Sequence, residues 1–329
     1  MAPRVLPWSS EVRLEGKGSG RVMLLSGFGS GPETLRPLGE ALRDAVGATV
    51  LLAALPRHTG DRAAFVRSRA WHYVAEAEAG FLRFAAESDE RVVLGGYSTG
   101  ALVALVLAAR HPARVAGLVL ASPALRLSRT DRTLVAYTVG SLYYVGLPLA
   151  LLGGLAAAAW GGRERGWTRH RRLLQAFGVT AIAASAAAGL RALSVPLRVG
   201  GPILTPEGEE VLPPHFTRAS LLTGSSLLPL QLVARWRLRR IALPACLVFG
   251  ELDDVVDVRF GTVRAAQAPR GEFHVVPDAP HRVVTTAGCH TVVAGFVRRT
   301  LAGEPVAGAD DAAAGPAAEA APPEGPLPN

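Results

Sequence analysis

Short apolar runs alternate along the chain with longer segments that mix apolar and polar positions. Within each run the hydrophobic residues are nearly continuous, which is typical of strands that are buried on both faces. The runs are bounded by glycine, proline or charged residues, as strand ends usually are. The pattern therefore predicts strands at residues 21–25, 48–53, 91–96, 115–121, 245–250 and 273–277.

The segments between these runs place their apolar residues at the three- and four-residue spacing of an amphipathic helix. They lie at residues 32–46, 68–87, 99–111 and 287–301. Strands that alternate with helices indicate a mostly parallel sheet with helices on both faces. The sequence thus predicts the α/β fold class.

Between residues 128 and 240 this alternation stops. Residues 134–160 carry no charge, and neither do residues 173–190. The first run is long enough to span a bilayer and the second is borderline. However, the first run contains four glycines and a proline, so we interpret the whole insertion as a hydrophobic helical cap.

A membrane hairpin is the alternative for this insertion. The basic turn at residues 161–172 would then lie on the far side of the membrane from a cytoplasmic domain, against the preference of positive loops. A cap that rests on a membrane surface through residues 134–190 avoids this conflict, because its arginines could meet anionic head groups.

These segments predict four parts of the chain. Residues 1–127 form the first part of the core, residues 128–240 the cap and residues 241–302 the second part of the core. Residues 303–329 are rich in alanine, proline and glycine, a composition that buries too little apolar surface to fold. We expect this tail to be disordered.

Composition narrows the function classes. The chain has 329 residues and a formal net charge of +8, but its arginines are scattered rather than clustered with aromatic residues. Nucleic-acid binding is therefore not expected. The two cysteines lie far apart in apolar surroundings, which argues against a disulfide framework or a zinc site. The amino terminus lacks the apolar core of a secretory signal, so we expect a cytoplasmic protein.

A candidate nucleophile lies at Ser98, in the pattern Gly96-Tyr97-Ser98-Thr99-Gly100. The predicted strand before it and the predicted helix after it require a sharp turn at the serine. Such a turn leaves little room for side chains two positions away, and glycine supplies that room. It lifts the hydroxyl clear of the sheet and points the free amides of the helix toward a developing negative charge.

A serine hydroxyl needs a base that is itself oriented by an acid. Asp253 follows the predicted strand at residues 245–250, and His281 follows the next strand, so both stand where a triad would need them. Asp254 is an alternative acid, and His290 an alternative base inside the last predicted helix. Asp257 is better explained as a helix cap.

At these residues the chain resembles serine hydrolases of the α/β-hydrolase family, nearest in pattern to bacterial carboxylesterases, monoacylglycerol lipases and serine aminopeptidase-like proteins. Residues 250–256 (GELDDVV) match the acid motif G-x-x-D-x-V/I-V, and residues 280–284 (PHRVV) match the histidine loop. Residues 26–28 (SGF) stand where the family has H-G-F/W. The similarity covers about residues 20–127 and 230–302.

Two departures from the family pattern are visible. Ser26 replaces the histidine before Gly27, and Arg57 replaces a glycine in the turn at residues 55–60 (LPRHTG). Neither change removes a backbone amide. By the family pattern, the oxyanion hole would use the N–H groups of Phe28 and Thr99.

The resemblance implies a serine esterase or lipase with the triad Ser98, Asp253 and His281, acting on a small-molecule or lipid ester. Amide or peptide hydrolysis on the same fold remains an alternative, as does a membrane-anchored protein whose hydrophobic insertion is the functional part. No cofactor and no metal are expected, because none of the histidines considered has a second ligand at metal-binding spacing: His58, His72, His111 and His170. The sequence leaves the substrate and the oligomeric state open.

Overall fold

The structure is a computed structural model of the whole chain. It describes residues 10–58, 62–128 and 218–304, and in short pieces residues 4–5, 146, 152–153, 196–198, 203–204 and 210–212. Most of the predicted cap and all of the tail beyond residue 304 lie outside the described residues. In the described ranges, no helix is long and apolar enough to cross a bilayer.

A seven-stranded sheet forms the centre of the fold, in the order β7-β6-β5-β4-β2-β3-β1. All neighbours pair in parallel except β1 and β3, which are antiparallel. The strands are β1 (Glu11–Leu14), β2 (Arg21–Leu25), β3 (Thr49–Ala53), β4 (Val92–Tyr97), β5 (Val115–Ala121), β6 (Ala245–Gly250) and β7 (Gly271–Val276).

The described helices connect these strands and cover both faces of the sheet. They are α1 (Arg36–Val46), α2 (Arg62–Arg67), α3 (Ala70–Ala85), α4 (Thr99–Arg110), α5 (Leu221–Ser225), α6 (Leu227–Leu238), α7 (Val258–Ala265) and α8 (Ala287–Leu301). Short 3-10 turns occupy Pro32–Leu35, Pro112–Arg114 and Val283–Thr285. Two small sheets join Arg4–Val5 to Glu210–Leu212 and Ile203–Leu204, and Pro196–Arg198 to Arg218–Ser220.

The sheet separates two apolar layers. On one face α3, α4 and α6 pack against the strands, with Phe81, Leu105 and Leu230 among the buried side chains. On the other face α1 and α8 do the same, with Leu42 and Phe296 buried. Because β2 to β6 are buried on both faces, their sequences read as continuous apolar runs.

The predicted α/β fold class with a mostly parallel central sheet is confirmed. The predicted strands agree with β2 to β7 to within a few residues at their ends. The antiparallel edge strand β1 was missed because Glu11–Leu14 alternates polar and apolar residues rather than forming an apolar run. Within the predicted cap range, α6 packs against α4 and contributes Leu230, Ala234 and Leu238 to the core.

An ion pair joins the edge strand β7 to α8. The Glu272 carboxylate accepts hydrogen bonds from Nη2 of Arg299 at 2.9 and 3.0 Å. Burial raises the pKa of Glu272, but the hydrogen bond with His274 and the charge of Arg299 outweigh it, and the net pKa is lowered. A lowered folded-state pKa stabilises the fold above the ordinary pKa of the group, and this contribution is lost as the pH falls.

We predict that Arg299→Met lowers the free energy of unfolding by about 1 kcal/mol at neutral pH, since Arg299 is partly exposed to solvent. The difference from the wild type should shrink as the pH falls through the acid range and Glu272 becomes protonated. Urea unfolding at several pH values measures it. A difference that stays constant down to the acid limit would contradict this role for the ion pair.

Candidate active site

Ser98 lies in a sharp turn between β4 and α4, with φ 55° and ψ −116°. This left-handed backbone is strained for a residue with a side chain. A Cβ on Gly96 would lie 2.5 Å from the carbonyl carbon of Gly100, and one on Gly100 would lie 2.2 Å from the carbonyl oxygen of Leu25. Both glycines of the motif are therefore required by backbone contacts.

Three side chains from separate loops meet above this turn. His281 Nε2 lies 3.2 Å from Ser98 Oγ, and His281 Nδ1 lies 2.8 Å from Asp253 Oδ2. A carboxylate only accepts hydrogen bonds, so Nδ1 carries the proton and Nε2 is free to accept one from the serine hydroxyl. The structure thus brings together the three predicted residues in the order serine, histidine, acid.

The carboxylate of Asp253 is fully buried and held in place. Its second oxygen, Oδ1, accepts the backbone N–H of Val255 at 3.0 Å and of Val256 at 2.9 Å. These bonds satisfy the lone pairs that face away from His281 and fix the orientation of the carboxylate.

The other residues considered from the sequence, Asp254, Asp257 and His290, lie elsewhere. Asp254 is exposed at the surface. Asp257 caps α7 by accepting the N–H of Phe260, as its position suggested, and it also pairs with Arg126. His290 Nε2 lies 2.8 Å from the carbonyl oxygen of Val284.

A glycine also brings the acid loop against the histidine loop. A Cβ on Gly250 would lie 2.4 Å from the carbonyl oxygens of both Ala279 and Pro280. Without a side chain at Gly250, the loop that carries Asp253 can pack directly on the loop that carries His281. The sequence motif contained this glycine, but its contact partner could be recognised only from the structure.

Tyr97 packs behind the histidine. Its ring centroid lies 5.0 Å from that of His281. Burial raises the pKa of Tyr97 well above its ordinary value, so the phenol stays neutral. The aromatic contact leaves the imidazole little freedom to turn away from Ser98.

The loop after β2 carries Phe28 and lies directly against the turn at Ser98. A Cβ on Gly27 would come within 3.3 Å of the Ser98 Cβ, and one on Gly100 would come within 2.3 Å of the carbonyl oxygen of Ser26. Thr99 is the first residue of α4, where backbone N–H groups have no partner within the helix. The predicted oxyanion residues, Phe28 and Thr99, therefore belong to adjacent backbone segments.

Ser26 organises this loop, a role that the sequence did not reveal. Its buried hydroxyl donates to the carbonyl oxygen of Ser30 at 2.8 Å and accepts the N–H of Leu55 at 3.3 Å. The only hint in the sequence was that Ser26 is polar, like the histidine that the family pattern has at this position. Ser26 keeps a polar link between the loop and the chain after β3.

Aromatic packing fixes the other side of the loop. The ring of Phe28 contacts the rings of His58, Phe65 and Tyr73, with centroids 5.3, 5.6 and 6.3 Å away. His58 is fully buried and its Nδ1 lies 3.0 Å from the carbonyl oxygen of Pro56. These contacts hold the Phe28 backbone in position.

One set of side chains in the described ranges has the composition of a metal site. Ligand atoms of Cys246, Glu272 and His274 lie within 4.8 Å of one another. Sequence reasoning missed this set because the parallel pairing of β6 with β7 brings it together. Glu272 already accepts hydrogen bonds from Arg299, and the set lies on the strands rather than on the loops around Ser98.

We predict that Ser26→Ala lowers the free energy of unfolding by about 1–3 kcal/mol, because it leaves the buried Leu55 N–H without its acceptor. Ser30→Ala is the matched control, since it keeps the carbonyl that Ser26 contacts. Chemical denaturation of both variants measures the effect. Equal losses in the two variants would show that the Ser26 hydroxyl does not hold the loop.

Comparison with known proteins agrees with this architecture. The sequence model of the alpha/beta hydrolase family matches residues 22–295. No curated protein sequence matches the chain.

Solved structures of similar fold cover nearly the whole chain. One of the metagenome-derived lipolytic enzymes LipS and LipT has a TM-score of 0.61 and 19% identity, over 90% of this chain and 100% of its own. A monoacylglycerol lipase from Paleococcus ferrophilus has a TM-score of 0.57 and 17% identity, over 90% and 100%. A monoglyceride lipase from Saccharomyces cerevisiae has a TM-score of 0.58 and 14% identity, over 92% and 96%.

At these identities the likeness supports the fold alone, whereas the family match extends from β2 into α8 and includes Ser98, Asp253 and His281. The chain belongs to the alpha/beta hydrolase family.

Proposed function

We propose that this protein is a serine hydrolase that cleaves carboxylic esters through an acyl-enzyme on Ser98. The observation that supports it best is the pair of contacts made by His281, to Ser98 on one ring nitrogen and to Asp253 on the other. This arrangement couples a nucleophile, a base and an orienting acid.

Acylation begins with attack of Ser98 Oγ on the ester carbonyl carbon. His281 Nε2 takes the hydroxyl proton as the new carbon–oxygen bond forms. The resulting imidazolium is stabilised by the buried carboxylate of Asp253, which accepts a hydrogen bond from the Nδ1–H while the proton stays on the imidazole. When the tetrahedral intermediate collapses, Nε2 returns its proton to the leaving alcohol.

The carbonyl oxygen becomes negatively charged in this intermediate. The backbone N–H groups of Phe28 and Thr99 would stabilise that charge, and the latter stands at the positive end of α4. Each such donor contributes about 3–4 kcal/mol in well-studied oxyanion holes. Their effect depends on backbone position, which explains why Ser26 can replace the family histidine.

Deacylation repeats the sequence with water. His281 removes a proton from the water, the hydroxyl oxygen attacks the acyl carbon, and the Ser98 oxygen leaves with the proton from the imidazolium. The products are a carboxylic acid and the free enzyme. The ester and one water are thus converted into a carboxylic acid and an alcohol, and every proton is accounted for without a cofactor.

The substrate we propose is a hydrophobic acyl ester, of the size of a monoacylglycerol. The segment between Ser128 and Arg218 leaves the core beside the acid loop, where Ser128 N–H donates to the Val255 carbonyl at 2.8 Å. It returns close to α2, whose Val66 carbonyl accepts the Thr223 hydroxyl. We propose that this segment is the cap and that its apolar residues bind the acyl chain. Two proteins of similar fold are described as lipases of monoglycerides.

We predict that Asp253→Asn lowers kcat by about 10⁴-fold, because the amide would favour the wrong imidazole tautomer. Asp254→Asn is the matched control: it removes the same charge one residue away, from an exposed side chain, and should leave kcat within a few-fold. Steady-state hydrolysis of a soluble ester measures both. Equal losses of kcat in the two variants, or a larger loss in Asp254→Asn, would show that Asp253 is not the catalytic acid.

The substrate class is tested with p-nitrophenyl esters of rising acyl chain length, run beside aminoacyl-anilides. We predict that kcat/KM rises with chain length and that anilide cleavage is slower by orders of magnitude. Faster cleavage of an anilide than of every ester would favour a peptidase on the same fold. A flat response to chain length would contradict the proposed hydrophobic acyl site.

A further inference from the structure

Helix α6 has apolar residues on its outer face as well as on the inner face that packs on the core. Its polar residue Gln231 is buried and donates from Nε2 to the carbonyl oxygen of Ala124 at 2.9 Å. On its outer face, Leu232, Val233 and Trp236 are 53%, 44% and 48% exposed. A surface helix usually directs its apolar residues inward, so the outer face of α6 needs a different explanation.

The three exposed residues form one continuous stripe. Trp236 lies four residues after Leu232 and three after Val233, so its side chain neighbours both of them on the helix surface. Position 240, four residues after Trp236, extends the same face beyond the last turn. The stripe is therefore apolar along the helix and basic at its end.

The basic end consists of Arg237, Arg239 and Arg240. Two of their guanidinium groups lie over the Trp236 ring, that of Arg237 at 4.6 Å and that of Arg240 at 4.4 Å from its centroid. Among the described residues, none of the three arginines forms a salt bridge. Residues 221–240 contain no aspartate or glutamate, so these charges are not neutralised along the segment.

These features together indicate what kind of partner could bind the outer face of α6. Arginine near the carboxyl end of a helix complements the helix dipole, but that does not explain an exposed tryptophan and two exposed aliphatic residues. Pairing with a second copy of the chain through the same face would offer the arginines no carboxylate, because residues 221–240 contain none. Nucleic acid would satisfy the arginines with phosphates but offers no apolar phase for Leu232 and Val233.

A lipid surface with anionic head groups offers both phosphates for the arginines and an apolar phase for the exposed aliphatic side chains. Phosphates at the interface suit guanidinium groups, tryptophan prefers the boundary between head groups and acyl chains, and the aliphatic side chains can enter the acyl region. We propose that the outer face of α6, formed by Leu232, Val233, Trp236 and the arginines that follow, docks the protein on an anionic membrane surface.

This docking face is separate from the candidate active site. On its inner face, Gln231 reaches Ala124, whose N–H donates to the Ser98 carbonyl oxygen. Leu232, Val233 and Trp236 lie on the exposed outer face, and the arginines after them precede β6 at the amino-terminal edge of the sheet. Substitutions on the exposed outer face should therefore not change hydrolysis of a soluble ester. This separation allows the two proposals to fail independently.

Sedimentation of the full-length protein with vesicles tests the proposal. We expect binding to vesicles of phosphatidylcholine with phosphatidylglycerol, weak binding to phosphatidylcholine alone, and loss of binding at high salt. Each arginine near an anionic surface contributes roughly a fivefold change in the partition coefficient. The triple variant Arg237→Gln, Arg239→Gln, Arg240→Gln should therefore bind on the order of 100-fold more weakly.

Two controls match these changes. The triple variant Arg91→Gln, Arg114→Gln, Arg259→Gln removes the same charge from other exposed sites and should bind within a few-fold of the wild type. For the apolar part, Leu232→Ala with Trp236→Ala should weaken binding at least tenfold, whereas Val263→Ala, at a residue that is 62% exposed, should not. Thermal unfolding checks that every variant is folded.

The proposal is overturned if wild-type protein does not bind anionic vesicles, or if the two arginine variants lose binding equally. Dimerisation that Leu232→Ala with Trp236→Ala abolishes, in a protein that does not bind vesicles, would identify α6 as a protein interface instead. Binding that persists in both α6 variants would place the membrane contact elsewhere in the chain.

Discussion

Close backbone contacts at the carboxyl edge of the sheet hold the candidate site together. Gly100 places the first turn of α4 against the carbonyl oxygens of Leu25 and Ser26, and Gly250 places the acid loop against those of Ala279 and Pro280. A methyl group at either glycine would overlap backbone atoms, which cannot move aside as a flexible side chain can. The turn at Ser98 and the loops that carry Phe28, Asp253 and His281 are therefore assembled by backbone packing, and their side chains take their positions from it.

This assembly opposes local strain. The left-handed conformation of Ser98 costs about 1–3 kcal/mol, and Ser122 at the end of β5 has a positive φ as well. Backbone hydrogen bonds hold both positions. The Ser98 N–H donates to the carbonyl oxygen of Ala121 at 2.9 Å, and the Ser98 carbonyl oxygen accepts the N–H of Ala124 at 3.2 Å. The Ser122 N–H donates to the carbonyl oxygen of Val248 at 2.7 Å. The strained serine is thus fixed by the neighbouring strands, and its hydroxyl is directed toward His281 before any substrate arrives.

Much of this could be predicted from the sequence. Continuous apolar runs gave the strands of the parallel sheet, and the spacing of Ser98, Asp253 and His281 after predicted strands indicated residues that the structure brings together. The acid motif favoured Asp253 over Asp254, but only the structure shows that the Asp253 carboxylate contacts His281 and that Asp254 is exposed. The hydroxyl contacts of Ser26, the exposed apolar face of α6 and the pairing that brings Cys246 near Glu272 depend on long-range packing. No local pattern reports such contacts.

The protein is an alpha/beta hydrolase for which we propose two separate functional surfaces. One is the catalytic edge of the central sheet, and the other is the membrane-docking face of α6. The central claim is that Ser98 is the nucleophile. Reaction with a fluorophosphonate probe, followed by mass-spectrometric location of the adduct, tests it most directly. We predict an adduct on Ser98 in the wild type and in Ser88→Ala, a control serine after α3 whose hydroxyl accepts the Glu90 N–H, and none in a folded Ser98→Ala variant. Labelling that persists in Ser98→Ala would contradict it.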